Sequence, residues 1–160
     1  GTFLSRIVKL CTRKKYSHVS ISLDENLNYM YSFGRLDAYN PFIGGFVHES
    51  TKYGTFKRFK NTITKIYSLE VSKKTYNKII KTIKKIEIDK DTYKFNLIGL
   101  FAVALNLRIK RKKCFYCAEF VKYVLDSSNL NLNLPDIIKP EDFDKINGAS
   151  LVYSGKLMEF

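Results

Sequence analysis

The sequence predicts a single α+β domain in which an antiparallel sheet packs against helices. Residues 17–23 and 64–71 alternate polar and apolar side chains, which is the period of a half-buried strand. Residues 72–88 and 115–125 repeat apolar side chains at helical spacing. The chain has 160 residues, 45% of them hydrophobic, so we expect one domain over residues 1–160 with a substantial core.

The sequence pattern of the first third of the chain predicts a helix, a hairpin and a long loop. Residues 2–10 are predicted as a short helix, with Thr2 as its cap. Residues 17–23 and 29–33 are predicted as two strands joined by a polar turn. Residues 34–54 contain glycine and proline punctuation and are predicted as loop.

The rest of the chain alternates strands, helices and a basic linker. In order, we predict a strand (64–71), a helix capped by Ser72 (to about residue 88), a buried apolar helix (96–107), a basic linker (110–113), a helix (115–125), an extended segment (130–140), a short helix starting with Glu141 and Asp142, and a last strand (151–153).

The chain is strongly basic, and this bears on its partners. It contains 28 Lys and Arg against 15 Asp and Glu, a formal net charge of +13. Such a charge attracts anionic surfaces and polymers, including nucleic acid and anionic lipid. Because the cations are spread along the chain, most are interpreted as solvated surface, and no specific nucleic acid is predicted.

The cysteine count and the opening residues favour a reducing compartment. Three cysteines, Cys11, Cys114 and Cys117, are too few and odd in number for a disulfide framework. Cys114 and Cys117 have C-x-x-C spacing, but no second pair completes a zinc site. Residues 1–6 do not resemble a signal peptide, so a cytoplasmic location is expected. No metal or organic cofactor is implied.

Cys117 and His18 are the candidates for covalent chemistry. A cysteine attacks a carbonyl as the thiolate, which is favoured at a helix N-terminus or beside an imidazole. Cys117 lies in the first turn of a predicted helix, on its apolar face. His18 lies on a predicted strand, on the same side as Ser20 and Ser22. Both residue types also occur as ordinary core or structural residues, which is the competing interpretation.

A base needs a third group that fixes its orientation, and the sequence offers two. If the hairpin pairs Ser22 with Asn28, Ser32 lies directly opposite His18, although a shift of one residue would break that alignment. Glu49 is the second candidate. Backbone amides near Cys117 are candidates for the oxyanion hole.

Two short motifs resemble those of the circularly permuted NlpC/P60 group of papain-like cysteine hydrolases. Residues 16–21, Tyr-Ser-His-Val-Ser-Ile, are similar to the histidine strand of that group, which includes the YiiX-like proteins and relatives of lecithin:retinol acyltransferase. Residues 115–121, Phe-Tyr-Cys-Ala-Glu-Phe-Val, are similar to its nucleophile helix. The histidine strand precedes the cysteine helix, as in the permuted group.

The resemblance implies a papain-like fold with the nucleophile helix C-terminal to the histidine strand. It implies Cys117 as nucleophile, His18 as base, a thioester intermediate, and a peptide, cell-wall peptide or lipid-acyl substrate. Ser20 and Ala118 replace a common glycine and serine of the group, both small-for-small changes. The alternative is a catalytically silent papain-like module whose basic surface binds anionic polymer, nucleic acid or membrane.

Overall fold

The structure is a computed structural model that describes residues 16–40, 43–130 and 132–160. The predicted helix over residues 2–10, with its cap Thr2, and the third cysteine, Cys11, lie outside the described residues. The described chain is a mixed α+β structure in which small sheets pack against helices, as the sequence predicts.

Among the described residues, seven strands form three small sheets. β1 (Ile21–Ser22), β2 (Met30–Arg35) and β3 (Gly44–Glu49) make an antiparallel sheet with β2 in the centre. β4 (Ile63–Leu69) and β7 (Ala149–Lys156) pair antiparallel, and β5 (Lys94–Phe95) and β6 (Cys114–Phe115) pair parallel.

In the part of the chain that the structure describes, four α-helices connect these strands, with bounds α1 (Gly54–Arg58), α2 (Lys73–Ile88), α3 (Leu97–Ala104) and α4 (Cys117–Ser127). The side chain of Ser72 caps α2 by accepting a hydrogen bond from the Thr75 amide, as predicted. Residues Lys90–Thr92, Pro140–Lys145 and Leu157–Glu159 form short 3-10 helices. The short helix predicted after Pro140, with Glu141 and Asp142 in its first turn, is therefore a 3-10 helix.

The core lies where α4 packs against β2 and α2. Phe33 in β2 is fully buried and meets four aromatic rings at centroid distances of 5.3–6.5 Å, those of Phe46, Tyr93, Phe115 and Phe120. Such edge-to-face and tilted pairs add to the free energy gained by burying apolar surface. The packing fixes α4, and therefore Cys117, against the sheet.

The hairpin register that would place Ser32 opposite His18 does not form, because the pairing is shifted by two residues. Ser22 pairs with Met30 instead of Asn28, and β1 is only two residues long instead of covering residues 17–23. The cause is Asp24, whose carboxylate accepts hydrogen bonds from the backbone amides of Asn28 and Tyr29. These bonds extend the turn through Tyr29 and delay the second strand.

The predicted loop over residues 34–54 contains β3, so that part of the prediction is wrong. β3 pairs with β2 along its whole length, with Phe46 opposite Phe33. The glycines at its start lowered its apparent strand propensity. At Gly44 an added Cβ would lie 2.8 Å from Cγ of Phe95, so glycine is required for this close approach.

The apolar segment over residues 96–107 is shorter and more exposed than predicted. Its helix, α3, ends at Ala104, and Asn106 has a left-handed backbone conformation with φ of 57°. Much of the segment faces solvent, including Ile98, Phe101, Leu105 and Leu107. Helical periodicity does not show which face is buried when both faces are apolar. None of the helices in the described ranges is long and apolar enough to cross a membrane.

We predict that Ile83→Ala destabilises the fold by about 2–5 kcal/mol, because it opens a cavity in the core. Ile83 is 1% exposed, whereas Ile88, at the end of the same helix, is 82% exposed. Urea unfolding of wild type and of each variant measures the free energy of unfolding. Ile88→Ala is the matched control and is expected to change the free energy of unfolding by less than about 0.5 kcal/mol. Equal effects of the two substitutions would contradict this description of the core.

Candidate active site

Cys117 is the first residue of α4. This agrees with the prediction that it lies in the first turn of a helix. Its side chain is 6% exposed and belongs to the core cluster. The first N–H groups of a helix have no partner within the helix and carry partial positive charge. The sulfur therefore lies where a negative charge is stabilised by the backbone.

Two polar side chains, the fully buried Asn96 and the half-buried Glu119, hold the start of α4 in place. Glu119 Oε2 accepts a hydrogen bond of 3.2 Å from the Tyr116 amide, just before the helix. Asn96, fully buried, donates from Nδ2 to Glu119 Oε2 at 3.1 Å and to the Ile109 carbonyl at 3.2 Å. Its Oδ1 accepts from the Gly99 amide and caps α3. Burial raises the pKa of Glu119 and outweighs these hydrogen bonds, which act to lower it.

His18 lies in an extended segment before β1 and is paired with Glu49, the last residue of β3. The distance between His18 Nε2 and Glu49 Oε1 is 2.8 Å. The Ser20 hydroxyl donates to the other carboxylate oxygen, Oε2. The Glu49 side chain is buried, with 9% exposure. Both carboxylate oxygens are therefore engaged, by an imidazole and by a hydroxyl.

Ser32 and Gly34 of β2 enclose the other side of this pair. Ser32 is fully buried, and its Oγ makes no well-formed hydrogen bond with any described residue. It nevertheless lies close enough to Glu49 for its hydroxyl to favour the carboxylate form. An added Cβ at Gly34 would lie 3.3 Å from Ser32 Oγ, 3.4 Å from His18 Cε1 and 3.6 Å from Glu49 Oε1. Because Gly34 has no side chain, His18, Ser32 and Glu49 have space to approach one another.

The electrostatics of the pair favour imidazolium and carboxylate. Burial by itself lowers the pKa of His18, but the charge of Glu49 and hydrogen bonds to Cys117 and Glu49 raise that pKa well above its usual value. Burial by itself raises the pKa of Glu49, but the charge of His18 and hydrogen bonds from His18, Ser20 and Ser32 hold it below its usual value. The pair is charged because each partner compensates the burial of the other.

The His18 ring is paired with Glu49, and Cys117 lies near it. Nε2 faces Glu49, and the Cys117 side chain is among the groups that raise the pKa of the ring. Since Nε2 is engaged by Glu49, Nδ1 is the ring nitrogen left for another partner. In the charged pair Nδ1 carries a proton, and in the neutral ring, with Glu49 accepting the Nε2–H, it offers a lone pair.

A large cleft of about 1850 Å³ reaches these residues. His18, Glu49 and Cys117 all contribute to its wall, together with Phe56, whose ring contacts the His18 ring edge-on at a centroid distance of 6.3 Å. A molecule entering the cleft therefore meets both the sulfur and the imidazole.

The structure brings the four predicted site residues to one region. His18 and Glu49 interact directly, Cys117 lies on the same cleft wall and acts on the pKa of His18, and Ser32 packs against the pair without lying opposite His18 in the register. The orienting position is taken by Glu49, the second candidate, because β3 continues to that residue. His48, its neighbour, points away and is exposed. Cys114 is half-buried with a free thiol and is paired through its backbone with Lys94.

Sequence reasoning missed Asn96 and Glu119 as supports of the site. A usable signal for Glu119 was its position two residues after Cys117, where an acidic side chain suits the first turn of a helix. Asn96 carried the corresponding signal as a cap residue before an apolar helix. Their contact with each other is long-range, and no local pattern indicates it.

Comparisons of this chain with protein-family models, with curated proteins and with solved structures give no match. Among residues 16–40, 43–130 and 132–160, no group of three or more His, Cys, Asp and Glu side chains is arranged to hold a metal ion.

We predict that the His18 imidazole titrates above its usual pKa of 6.5 and that Glu49→Gln lowers this pKa, because the substitution removes the negative charge but keeps the burial. NMR titration of the histidine ring Cε1–H signals measures the His18 pKa in wild type and in Glu49→Gln. The chain has two histidines, so His48→Asn assigns the signals. Glu87→Gln, an exposed change of the same charge, is the control and leaves the His18 midpoint unchanged.

The same pair makes stability depend on pH in a defined direction. A pKa raised by folding contributes stability that is complete below about 6.5 and is lost as pH rises through the raised value. The stability difference between wild type and Glu49→Gln, measured by urea unfolding, therefore shrinks as pH rises through the His18 midpoint. A difference that grows over that range would contradict the pairing.

Proposed function

We propose that this protein is a thiol-dependent hydrolase or acyltransferase acting on an amide or ester bond. The observation that carries the proposal is that the His18 imidazole, paired with the buried Glu49 carboxylate, lines the same cleft wall as Cys117 at the start of α4. A nucleophile, a base and a group that orients the base are the components of a catalytic triad. A structural role for a buried cysteine requires neither partner.

In the proposed reaction, the proton of the Cys117 thiol is held on His18, so that the sulfur reacts as the thiolate beside an imidazolium that Glu49 stabilises. The thiolate sulfur attacks the carbonyl carbon, a C–S bond forms, and the carbonyl π electrons move to oxygen. The intermediate collapses, the bond to the leaving amine or alcohol breaks, and that group takes the proton from His18. A thioester remains on Cys117.

The second half of the reaction resolves the thioester. Neutral His18 removes a proton from water or from an acceptor as it attacks the acyl carbon. The C–S bond breaks, the sulfur leaves as thiolate, and the acid or the transferred acyl product departs. The negative oxygen of each intermediate is stabilised by N–H groups at the start of α4, where the helix dipole favours an anion.

The resemblance to the permuted NlpC/P60 group supports this proposal and extends it to the fold. The histidine strand and the nucleophile helix come in the order of that group, and α4 packs against the central strand β2. We therefore propose a permuted papain-like domain. Its substrate would be a peptide, a cell-wall peptide or a lipid-acyl compound.

We predict that iodoacetamide alkylates Cys117 faster than Cys114 at pH 6 to 7, because His18 and the helix N-terminus stabilise the thiolate. Mass spectrometry of digested protein measures both rates in one sample. His18→Ala is expected to slow Cys117 about tenfold or more, whereas His48→Ala, the matched control, leaves it unchanged. Equal rates at Cys117 in wild type and in His18→Ala would overturn the proposed pair.

We also predict that p-nitrophenyl acetate acylates Cys117 in wild type and gives a burst of about one nitrophenolate per protein, the kinetic sign of a covalent intermediate. Intact-mass measurement checks for the added acetyl group. In Cys117→Ala both the burst and the mass increase disappear, whereas Cys114→Ala retains them. An acetyl group found only on lysine side chains would contradict the mechanism.

A further inference from the structure

Arg35 has an unusual environment at the end of β2. It follows Gly34, which borders the His18 ring. Its Cζ lies 5.5 Å from the centre of the Phe59 ring. Its Nη1 is buried and has no hydrogen-bond partner among the described residues. An enclosed cationic donor without a partner is costly, and in native proteins such a group usually has a ligand, ion or water as its partner.

Arg58, the last residue of α1, approaches the same aromatic ring. Its Cζ lies 5.3 Å from the centre of Phe59 and 4.0 Å from the centre of the Tyr39 ring. One of its nitrogens, Nη1, donates to the Ala38 carbonyl at 2.7 Å. This bond and the stacking on Tyr39 hold the guanidinium in position and leave its other N–H groups available.

The two arginines therefore approach the same aromatic ring. None of the ion pairs between described residues includes Arg35 or Arg58. Two acidic side chains elsewhere in the cleft have other cationic partners: Glu49 pairs with His18 and Asp144 with Lys65. Burial, together with the charge of Arg58, lowers the pKa of Arg35, as expected for like charges without a counter-ion.

Both arginines line the cleft that contains Cys117 and His18. We propose that Arg35 and Arg58 form an oxyanion-binding subsite of this cleft, which takes a phosphate or carboxylate group carried by the acyl substrate. That the ligand is a substrate rests on the proposed function; that an oxyanion binds here does not.

The chemistry of the two side chains fits this ligand. A guanidinium presents planar N–H groups that match two oxygens of a phosphate or carboxylate, and it remains charged at all relevant pH values. An oxyanion between the arginines would satisfy Nη1 of Arg35 and cancel the repulsion of Arg35 by Arg58.

The first test compares iodoacetate with iodoacetamide as reagents for Cys117. The two differ mainly in charge, and both react with the same thiolate, so the ratio of their rates does not depend on how much thiolate is present. We expect the ratio at Cys117 to exceed that of glutathione about tenfold, and Arg35→Gln or Arg58→Gln to reduce it several-fold. Lys57→Gln, an exposed neighbour of Arg58 with the same loss of charge, leaves the ratio unchanged.

The second test does not use the thiol. Inorganic phosphate and acetate are titrated at constant ionic strength, and the melting temperature is recorded for wild type, Arg35→Gln and Arg58→Gln. We expect saturable stabilisation of wild type by at least one anion, and its loss in both variants. A shift with phosphate alone identifies a phosphate subsite, and a shift with acetate alone a carboxylate subsite.

The two tests separate this inference from the proposed function. An iodoacetate ratio at Cys117 equal to that of glutathione and unaffected by Arg35→Gln overturns the subsite, even if Cys117 is highly reactive. If Cys117 reacts with neither reagent, the proposed function fails, and the melting experiment alone decides. Absence of stabilisation by both anions, or equal stabilisation in the arginine variants, then overturns the subsite.

Discussion

The buried carboxylate of Glu49 is the constraint on which the site depends. An ionised carboxylate taken out of water is costly unless charge and hydrogen bonds compensate it. Here the compensation comes from His18 and Ser20, with Ser32 packed alongside. Satisfying one side chain therefore requires the segment before β1, the strand β2 and the strand β3 to meet, and their meeting places the His18 ring beside Cys117.

The nucleophile side of the site depends on a second buried network, distant in sequence from the first. Asn96 and Glu119 join the start of α3, the Ile109 carbonyl and the start of α4. The parallel pairing of β5 with β6 adds backbone hydrogen bonds directly before Cys117. The imidazole and the sulfur are thus positioned by independent sets of contacts, and the packing of Phe33 against Phe120 joins the two sets.

How much of this arrangement the sequence predicts depends on whether the determining contacts are local. The α+β class, the Ser72 cap and the position of Cys117 in a helical first turn follow from short-range patterns, and the structure agrees. The register that would place Ser32 opposite His18 does not form, because Asp24 lengthens the turn. The sequence alone does not decide between Ser32 and Glu49, because the glycines at the start of β3 lower its local strand propensity. The strand forms through its pairing with β2.

The glycine at position 34 has a consequence for the chemistry. A methyl group added at its Cα would lie within 3.6 Å of the His18 imidazole, the Ser32 hydroxyl and the Glu49 carboxylate. Its backbone conformation is open to any residue, so no conformational requirement demands glycine there. Selection at position 34 would therefore act on the absence of a side chain. Even alanine would crowd the His18 ring, and lineages that keep the His18–Glu49 pair should keep this glycine too.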